Sequence, residues 1–327
     1  MLWAITSFFN PMNYRRRLEN YRVFRRFLDA PLVTVELAFG DFQLASDDAD
    51  ILIQIRGQDV MWQKERLLNV ALQHVPPDCE AIAWLDADVL FGNREWTTET
   101  MELLRQYPMV QLFETARDLP LDFDWSQNST ADVESKLTGE SVAKVTSSRG
   151  VEYVFDEDQF LTKSPRQRDI RCGLGWAGRT EILNRHRFYD TCIVGSGDLA
   201  LVAALYGMWH RYCMFACMGQ ARTQHYVRWA RQFNEEVGNS VGFTTGVVYH
   251  LWHGAPEARQ STQRHRLTQA FDFDPTNDLI LDSNGCWRWN SDKPEFHRQV
   301  AEYFKNRNED KLPSPHFTAG SIARSKS

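Results

Sequence analysis

Two aspartates lie directly after an apolar run, in the segment Ala81-Ile-Ala-Trp-Leu-Asp-Ala-Asp-Val-Leu-Phe91. The Asp-x-Asp pattern occurs five times in the chain, so the spacing alone says little. Context distinguishes Asp86 and Asp88, because charge is costly in a buried strand unless it binds something, and a strand aims alternate side chains the same way. Carboxylates suit Mg²⁺ or Mn²⁺, which would bridge them to a diphosphate. We therefore predict a metal site at this pair, with an aspartate pair that caps the next segment as the alternative.

A pair of histidines ends a second apolar run, Val247-Val-Tyr-His-Leu-Trp-His-Gly254. Imidazole is a good ligand for Mn²⁺ and related ions, and a glycine after His253 permits close approach of the backbone. A single histidine in a strand is more often a hydrogen-bonded core residue. The pair predicts metal ligands at His253 and His250, with the core role as the alternative for each.

Two glycine-rich runs form a third constellation, Gly173-Leu-Gly-Trp-Ala-Gly-Arg179 and Gly195-Ser-Gly-Asp-Leu-Ala200. Glycines let a loop approach a ligand with its backbone, and neither run matches a dinucleotide fingerprint or a Walker loop. Asp198 has two interpretations. It is either a general base that removes a proton from a substrate hydroxyl or the N-cap of the helix that follows.

The elements that must position these residues follow from the apolar periodicity. Strands are predicted at 2–9, 32–37, 51–55, 81–85 and 109–113, with helices between them at 14–28, 62–73 and 98–106. Strands that alternate with helices predict an α/β fold, with three layers and a mainly parallel central sheet. Further along, the pattern predicts a helix over 198–209, a strand over 246–252 and a helix over 294–306.

Composition limits the class of protein. The 327 residues are 43% hydrophobic and 24% charged, as in an ordinary globular protein, and the net charge of −6 disfavours a chain that coats nucleic acid. Six cysteines without a C-x-x-C pair indicate thiols in a reducing compartment. No segment approaches the ~20 apolar residues that span a bilayer. We therefore expect a cytoplasmic protein without a membrane span.

Taken in this order, the pieces resemble GT-A glycosyltransferases over roughly residues 2–305. The segments Trp62-Gln-Lys-Glu-Arg-Leu-Leu-Asn69, Trp84-Leu-Asp-Ala-Asp88 and His250-Leu-Trp-His-Gly254 are similar to a set of GT-A-like proteins of bacteriophage and bacterial genomes. The resemblance implies a Rossmann-like GT-A fold and a metal-dependent glycosyltransferase of a bacterial or phage-infected cell. Its donor would be a nucleotide sugar, with a UDP-sugar expected, and its cofactor Mn²⁺ or Mg²⁺.

The resemblance also implies roles for individual residues. Asp86 and Asp88 would hold the metal and the donor, His253 would complete the coordination, and Asp198 would be the catalytic base. Gly197 stands where inverting members carry a second acidic residue, so a retaining mechanism stays open. The other residues expected at the donor are Thr6, Ser7, Phe8, Glu36, Lys64, Asn69, Gly173 and Trp176.

The resemblance further implies one catalytic domain over residues 1–305, and the composition of the remaining residues predicts a flexible tail over 306–327. Within that domain, residues 1–115 would form the nucleotide-binding half and residues 171–305 the acceptor side. The polar stretch 117–170 reads as a long loop or flap, either for acceptor contact or merely flexible.

Other functions remain as alternatives. A nucleotidyltransferase also handles nucleotides with carboxylate-bound Mg²⁺, but the first strand is followed by Phe8-Phe9-Asn10-Pro11 and not by a glycine-rich basic loop. A nucleotide-sugar-binding protein without turnover is the second alternative. Cations mixed with aromatics at 222–231 and 259–266 suggest a hydroxymethylated pyrimidine in phage DNA as acceptor. A surface polysaccharide, a lipid-linked sugar or a protein are the other acceptors.

Overall fold

The computed structural model describes residues 1–121, 123, 138–156, 163, 165–260 and 263–310. The strands in these residues are β1 (Leu2–Phe9), β2 (Leu32–Ala38), β3 (Ile51–Arg56), β4 (Ala81–Leu85), β5 (Val89–Phe91), β6 (Met109–Gln111), β7 (Thr115–Asp118), β8 (Thr138–Ser141), β9 (Ile170–Arg171), β10 (Gly175–Arg179), β11 (Val241–Phe243), β12 (Val247–His250), β13 (Leu279–Leu281) and β14 (Trp287–Trp289).

The helices are α1 (Arg15–Phe27), α2 (Lys64–Ala71), α3 (Trp96–Leu103), α4 (Val142–Arg149), α5 (Val151–Val154), α6 (Thr180–His186), α7 (Gly197–Leu205), α8 (Trp209–Phe215), α9 (Gln220–Val237), α10 (Arg264–Ala270), α11 (Pro275–Asp278) and α12 (Pro294–Asn306). Short 3₁₀ turns lie at Pro165–Arg168 and Pro256–Arg259. None of the helices in the described residues is long and apolar enough to cross a membrane.

The central sheet has seven strands in the order β11-β6-β10-β4-β1-β2-β3. β1 pairs in parallel with β2 and β4, β2 with β3, and β6 with β11. Only β10 runs antiparallel to its neighbours β4 and β6 among these seven strands. The sheet is therefore mainly parallel, as the alternation of strands and helices predicts.

Side chains of the central sheet alternate between two apolar cores. In β1, Ile5 and Phe9 pack in a core with α2, α7 and α9, whereas Ala4 and Phe8 pack in a second core with α1. Full burial of a large apolar side chain stabilises a fold by about 1.5–3 kcal/mol. Because helices cover both faces, the molecule has three layers, and the predicted α/β fold class is confirmed.

The pairing of β4 with β10 brings the acidic segment to the glycine-rich segment. Gly175 lies opposite Leu85 in this antiparallel ladder, so the residues just beyond, Asp86 and Leu174, meet at the edge of the sheet. The amide of Asp86 donates to the carbonyl of Leu174 at 2.9 Å. The amide of Leu174 in turn donates to Oδ2 of Asp86 at 3.2 Å.

A second sheet of five strands, in the order β5-β12-β7-β8-β9, continues from this edge. β12 pairs antiparallel with β5 and parallel with β7, and β7 pairs antiparallel with β8. His250 is the last residue of β12 and lies beside Val89 of β5. This ladder places the histidine segment against the turn that carries Asp88.

The interpretation of 117–170 as one long loop is wrong for residues 138–156. These residues form β8, α4 and α5, and α4 begins at the N-cap Ser141, whose hydroxyl accepts from the amide of Lys144 at 3.2 Å. Val142 and Val145 are fully buried in the larger core. These short elements contain few apolar residues among many polar ones, so their apolar periodicity is too weak to predict them from sequence. The rest of the predicted loop lies largely outside the described residues.

The predicted tail also begins too early. Asn306 is the last residue of α12, and the chain packs onto the protein up to Asp310, whose carboxylate accepts from the amides of Arg15 and Arg16 at 2.9 Å each. Arg307 and Glu309 are buried and pair with each other at 2.7 Å. Residues 311–327 lie outside the described residues. The boundaries of the single predicted domain stay a prediction.

Candidate active site and metal centre

Asp88, His250 and His253 form a group whose ligand atoms all lie within 4.8 Å of one another. The Nε2 atoms of the two imidazoles are 3.2 Å apart. Oδ2 of Asp88 is 3.3 Å from Nε2 of His253, and Oδ1 is 3.7 Å from Nε2 of His250. The amide of Leu251 donates to the carbonyl of Asp88 at 2.8 Å and holds the two segments together. One carboxylate and two imidazoles thus converge on one point.

The chemistry of this group fits a divalent cation. Oδ1 of Asp88 is buried and accepts no hydrogen bond from the described residues, which is costly unless a cation satisfies it. Burial raises the pKa of Asp88, and His250 opposes that rise. Burial, together with Arg259 and His250, holds the pKa of His253 well below its ordinary value. A neutral imidazole keeps a lone pair for a metal, so the group offers ligands suited to Mn²⁺.

Asp86 belongs to a different cluster. The structure does not bring it into the ligand group, since its Oδ1 lies 2.5 Å from Nζ of Lys64 and its Oδ2 accepts from the amide of Leu174. The expected common direction of Asp86 and Asp88 fails because both residues follow β4 in a turn, where the period of two no longer applies.

Lys64 joins Asp86 to Asp198. Its Nζ lies 2.9 Å from Oδ1 and 3.1 Å from Oδ2 of Asp198, which stands in the first turn of α7. Burial lowers the pKa of Lys64, but Asp198 and Asp86 outweigh it and hold that pKa well above its ordinary value. Burial raises the pKa of Asp198, and Lys64 opposes the rise. Asp198 makes no side-chain cap for α7, so the structure does not support the N-cap interpretation.

A local contact explains why glycine occupies position 197, where the resemblance led us to expect an acidic residue. A Cβ at this position would lie 2.0 Å from Oε1 of Glu65, which is buried in α2. Burial raises the pKa of Glu65 to about 8, and Lys64 only partly opposes it. A carboxyl group therefore lies beside residue 197, but it comes from residue 65 of the chain.

Both clusters line one cavity of about 300 Å³. Of the residues predicted from sequence, the cavity lining includes Ser7, Phe8, Lys64, Asp86, Asp88, Gly173, Asp198, His250 and His253. At Gly173 a Cβ would lie 2.8 Å from Oδ2 of Asp198, so glycine makes room for that carboxylate. The structure therefore brings the acidic segment, the glycine-rich segments and the histidines together.

Thr6 and Glu36 lie outside the cavity lining. Both are buried in strands of the central sheet, at 0% and 1% exposure. Oγ1 of Thr6 donates to the carbonyl of Leu85 at 2.7 Å. The Glu36 carboxylate accepts from the amide of Gln43 at 2.6 Å and from Nε2 of Gln54 at 2.8 Å. Their polar groups are satisfied within the protein, where they support the sheet.

The side chains of Asn69 and Trp176 also form hydrogen bonds within the protein, which corrects the expectation that they contact a donor. Nδ2 of Asn69 donates to the carbonyl of Phe188 at 2.9 Å, and its Oδ1 accepts from the amide of Phe188 at 2.8 Å. Trp176 is fully buried in β10, and its indole N–H donates to the carbonyl of Cys172 at 2.7 Å. Helical and strand periodicity turns both side chains into the core.

Arginines that were not predicted at the metal or donor site also line the cavity, although Arg259 and Arg264 fall in the stretch 259–266 that suggested contact with DNA. The lining includes Arg17, Arg171, Arg259, Arg264 and Arg307. Nε of Arg17 lies 2.5 Å from Oε2 of Glu309. Nη2 of Arg259 lies 2.8 Å from Nε2 of His253. The signal was weak because these residues are scattered in sequence and meet only in the fold.

Asp118 was missed as well. It ends β7 directly beside His250 in the parallel register, and its Oδ1 lies 2.6 Å from Nδ1 of that histidine. The residue falls at the start of a polar stretch with no apolar periodicity, so nothing in the sequence distinguished it.

No protein-family model matches the chain, and no curated protein matches it. Among solved structures, the S. aureus TarS 1-349 structure in complex with UDP-GlcNAc is 13% identical, with 94% of this chain and 72% of that chain covered at a TM-score of 0.36. Glucosyl-3-phosphoglycerate synthase from Mycobacterium tuberculosis, in complex with Mn2+, UDP and glucosyl-3-phosphoglycerate, is 11% identical, with 86% and 84% covered at a TM-score of 0.39.

A third similar structure is the 4-diphosphocytidyl-2C-methyl-D-erythritol synthase from Anaerococcus prevotii DSM 20548. It is 12% identical, with 75% of this chain and 87% of that chain covered at a TM-score of 0.31. At these identities and scores, the three likenesses say nothing about activity. Only the geometry of the cavity therefore bears on the function of this chain.

Proposed function

We propose that this chain is a metal-dependent glycosyltransferase that moves a sugar from a nucleotide sugar to an acceptor hydroxyl. One observation carries the proposal: a group suited to a cation, Asp88, His250 and His253, shares a cavity with a half-buried carboxylate, Asp198. Such a cavity can neutralise a diphosphate at one cluster and accept a proton at the other. Both are needed for transfer to a hydroxyl with a nucleoside diphosphate as leaving group.

On the donor side, the ligand group would hold Mn²⁺ or Mg²⁺. Bound there, the ion supplies positive charge that offsets the charge developing on the leaving diphosphate. Arg259, whose Nη2 lies 2.8 Å from Nε2 of His253, adds a cationic group that can bind phosphate oxygens. Arg17 and Arg307 also line the cavity, but their guanidinium groups pair with Glu309. Ser7 and Phe8, at the end of β1, would border the nucleoside, with UDP as the expected nucleotide.

On the acceptor side, Asp198 is the proposed general base. Burial raises its pKa, which makes the carboxylate a stronger base than an exposed aspartate. Lys64 keeps it ionised and also holds Asp86 at the cavity wall. A base that activates the acceptor hydroxyl predicts inversion at the anomeric carbon. A product with retained configuration would remove Asp198 from this role.

The acceptor is proposed only as a hydroxyl compound. The stretch 222–231, which suggested stacking on DNA bases, forms most of α9, and its Arg222, Tyr226 and Ala230 are buried in the core. Trp229 packs on Phe233 and donates its indole N–H to the carbonyl of His186. These side chains are therefore turned inward, and only the exposed residues of this helix could contact a polyanion. A phage origin and a DNA acceptor stay predictions from sequence.

The test is metal-dependent cleavage of a nucleotide sugar. The protein is incubated with UDP-glucose or UDP-GlcNAc and Mn²⁺, and released UDP is measured in the wild type and in Asp88→Asn and Asp198→Asn. Asp272→Asn is a matched control, because Asp272 also belongs to an Asp-x-Asp pair, is exposed, and has a φ of 45° that asparagine tolerates.

We expect UDP release by the wild type and the control, and its loss with EDTA or with Asp88→Asn. Release of pyrophosphate from a nucleoside triphosphate, without UDP release, would instead indicate a nucleotidyltransferase. Donor binding without any turnover across a panel of acceptors would indicate a binding protein.

A further inference from the structure

We propose that Asp118 is a positioning residue that fixes the ring and the tautomer of His250, so that Nε2 of this histidine faces the cation site. This inference rests on the proposed metal site. It assigns Asp118, and behind it Arg171, a role that neither the motifs nor the spacing of the sequence indicate.

The contact between Asp118 and His250 is short and protected. Oδ1 of Asp118 lies 2.6 Å from Nδ1 of His250, and the two side chains are 11% and 5% exposed. An ionised carboxylate only accepts a hydrogen bond, so this contact favours the tautomer of His250 with its hydrogen on Nδ1. The lone pair is then on Nε2, which is the atom that lies 3.2 Å from Nε2 of His253 and 3.7 Å from Oδ1 of Asp88. Histidine ligands of metals commonly have such a carboxylate on the other nitrogen.

Arg171 fixes Asp118 in turn. Its Nη2 lies 3.3 Å from Oδ2 of Asp118, and its side chain is only 5% exposed. The carbonyl of Arg171 accepts from Nε2 of Gln111 at 2.8 Å, which anchors the backbone of β9. Gly139 of β8 makes room for the guanidinium, since a Cβ there would lie 2.6 Å from Cζ of Arg171. The arginine is therefore confined to the position that pairs with Asp118.

The strand order explains how these residues line up. Across the second sheet, Asp88 precedes β5, His250 ends β12, Asp118 ends β7, Gly139 lies in β8 and Arg171 ends β9. Each neighbouring strand thus contributes one member of a row that begins at the cation site. The sheet positions two of the three ligands, and the row behind His250 limits the freedom of its ring.

The experiment measures Mn²⁺ binding by calorimetry on the full chain, without donor. Asp118→Asn keeps the shape of the side chain but removes its charge, and we expect Mn²⁺ affinity to fall about 10- to 100-fold, as is typical when the hydrogen-bond partner of a metal-bound histidine is lost. Asp190→Asn is the matched control. Asp190 is likewise half-buried, pairs with Arg66 at 3.0 Å and lies outside the cavity lining. It should change thermal stability without changing Mn²⁺ affinity.

A second readout is the tautomer itself. In the metal-free wild type, nitrogen-correlated NMR of the His250 ring should show the hydrogen on Nδ1, and in Asp118→Asn it should show a mixture. A wild-type ring with its hydrogen on Nε2 would overturn the proposal. Gly139→Ala, which displaces Arg171 without touching the ligands, is the second variant if Asp118→Asn does not fold, and its Mn²⁺ affinity should fall as well.

The role of Asp118 and the existence of the metal site can be disproved separately. Wild-type Mn²⁺ affinity in Asp118→Asn, with weakened affinity in His250→Ala, would overturn the role of Asp118 and leave the metal site intact. Unchanged affinity in both His250→Ala and Asp88→Asn would remove the metal site, and with it the proposed function.

Discussion

Nζ of Lys64 lies 2.9 Å from Oδ1 of Asp198, and the same ammonium lies 2.5 Å from Oδ1 of Asp86. The proposed base and the first aspartate of the acidic pair therefore share one buried cation. Removal of that cation would leave two carboxylates on one cavity without the positive charge that they share. Such an arrangement raises carboxylate pKa values, because neither charge is compensated.

Lys64→Met should move the acid side of the pH–rate profile to higher pH. Burial already raises the pKa of Asp198, and loss of the opposing Lys64 charge should raise it further. The base must be ionised to act. As the pH is lowered, the variant should therefore lose activity at a higher pH than the wild type does. The measurement is UDP release against pH. Lys144→Met is the control, since Lys144 pairs with Glu114 and Glu140 and none of the three lines the cavity. An acid limb that stays in place in an active Lys64→Met protein would exclude this role.

Glu309→Gln should destabilise the protein at neutral pH. Although burial raises the pKa of Glu309, Arg17 and Arg307 outweigh it and lower the pKa from 4.5 to about 2. A lowered acid pKa adds stability above the unfolded value, and this stability is lost as the pH falls towards 2. We expect a loss of about 3–5 kcal/mol in the free energy of unfolding, as for a broken buried ion pair.

Urea unfolding between about pH 2 and 7 checks this, with a flatter acid dependence expected in the variant. Glu302→Gln, at an exposed pair with Arg298, should cost at most about 1 kcal/mol. Equal effects of the two substitutions would argue against a buried pair at the cavity.

Glu65→Gln should make stability less dependent on pH. The pKa of Glu65 is raised to about 8, so the folded state holds a proton that the unfolded state releases from pH 4.5 upward. Stability then falls as the pH rises through this window, by at most about 1.4 kcal/mol per pH unit for one proton. The Glu65→Gln variant has no carboxyl group to bind this proton, so its free energy of unfolding should vary less between pH 4.5 and about 8. Parallel curves for the two proteins would contradict the raised pKa.

Asn69→Leu should weaken the fold and leave the donor site intact. The substitution strands the amide and the carbonyl of Phe188, which both bond to the Asn69 side chain. An unsatisfied buried group costs about 1–3 kcal/mol. Urea unfolding should show this loss, whereas the KM for the nucleotide sugar should not change. A raised KM at unchanged stability would return Asn69 to the donor site.

The sequence predicted the elements whose apolar periodicity is strong. The helix over 294–306 has its predicted bounds, and the strand over 81–85 carries the acidic segment to the cavity as expected. The helix predicted over 198–209 is split, because the chain leaves it at Leu205 and Gly207 adopts a φ of +71° before α8 begins. Short polar elements such as β8 were missed, since tertiary pairing and not local pattern stabilises them.

The residues of the site divide in the same way, into those that a local sequence pattern predicts and those that only tertiary contacts bring together. Asp88, His250 and His253 stood out because polar groups at the ends of apolar runs are unusual, and Asp198 stood out because it follows a glycine-rich run. All four line the cavity. Spacing could not separate the roles of Asp86 and Asp88, because a turn after β4 sends them to different partners. The roles of Arg17, Asp118 and Glu309 could not be predicted from sequence, because each residue contacts a partner more than a hundred residues away along the chain.

The most direct test of the metal site is pulsed electron paramagnetic resonance of Mn²⁺ bound to the protein with UDP. Two imidazoles in the coordination sphere should give nitrogen couplings to the manganese, reduced in His253→Ala or His250→Ala and absent when both are replaced. Bound Mn²⁺ without nitrogen couplings in the wild type would contradict the account, because the ion would then lie away from Asp88, His250 and His253.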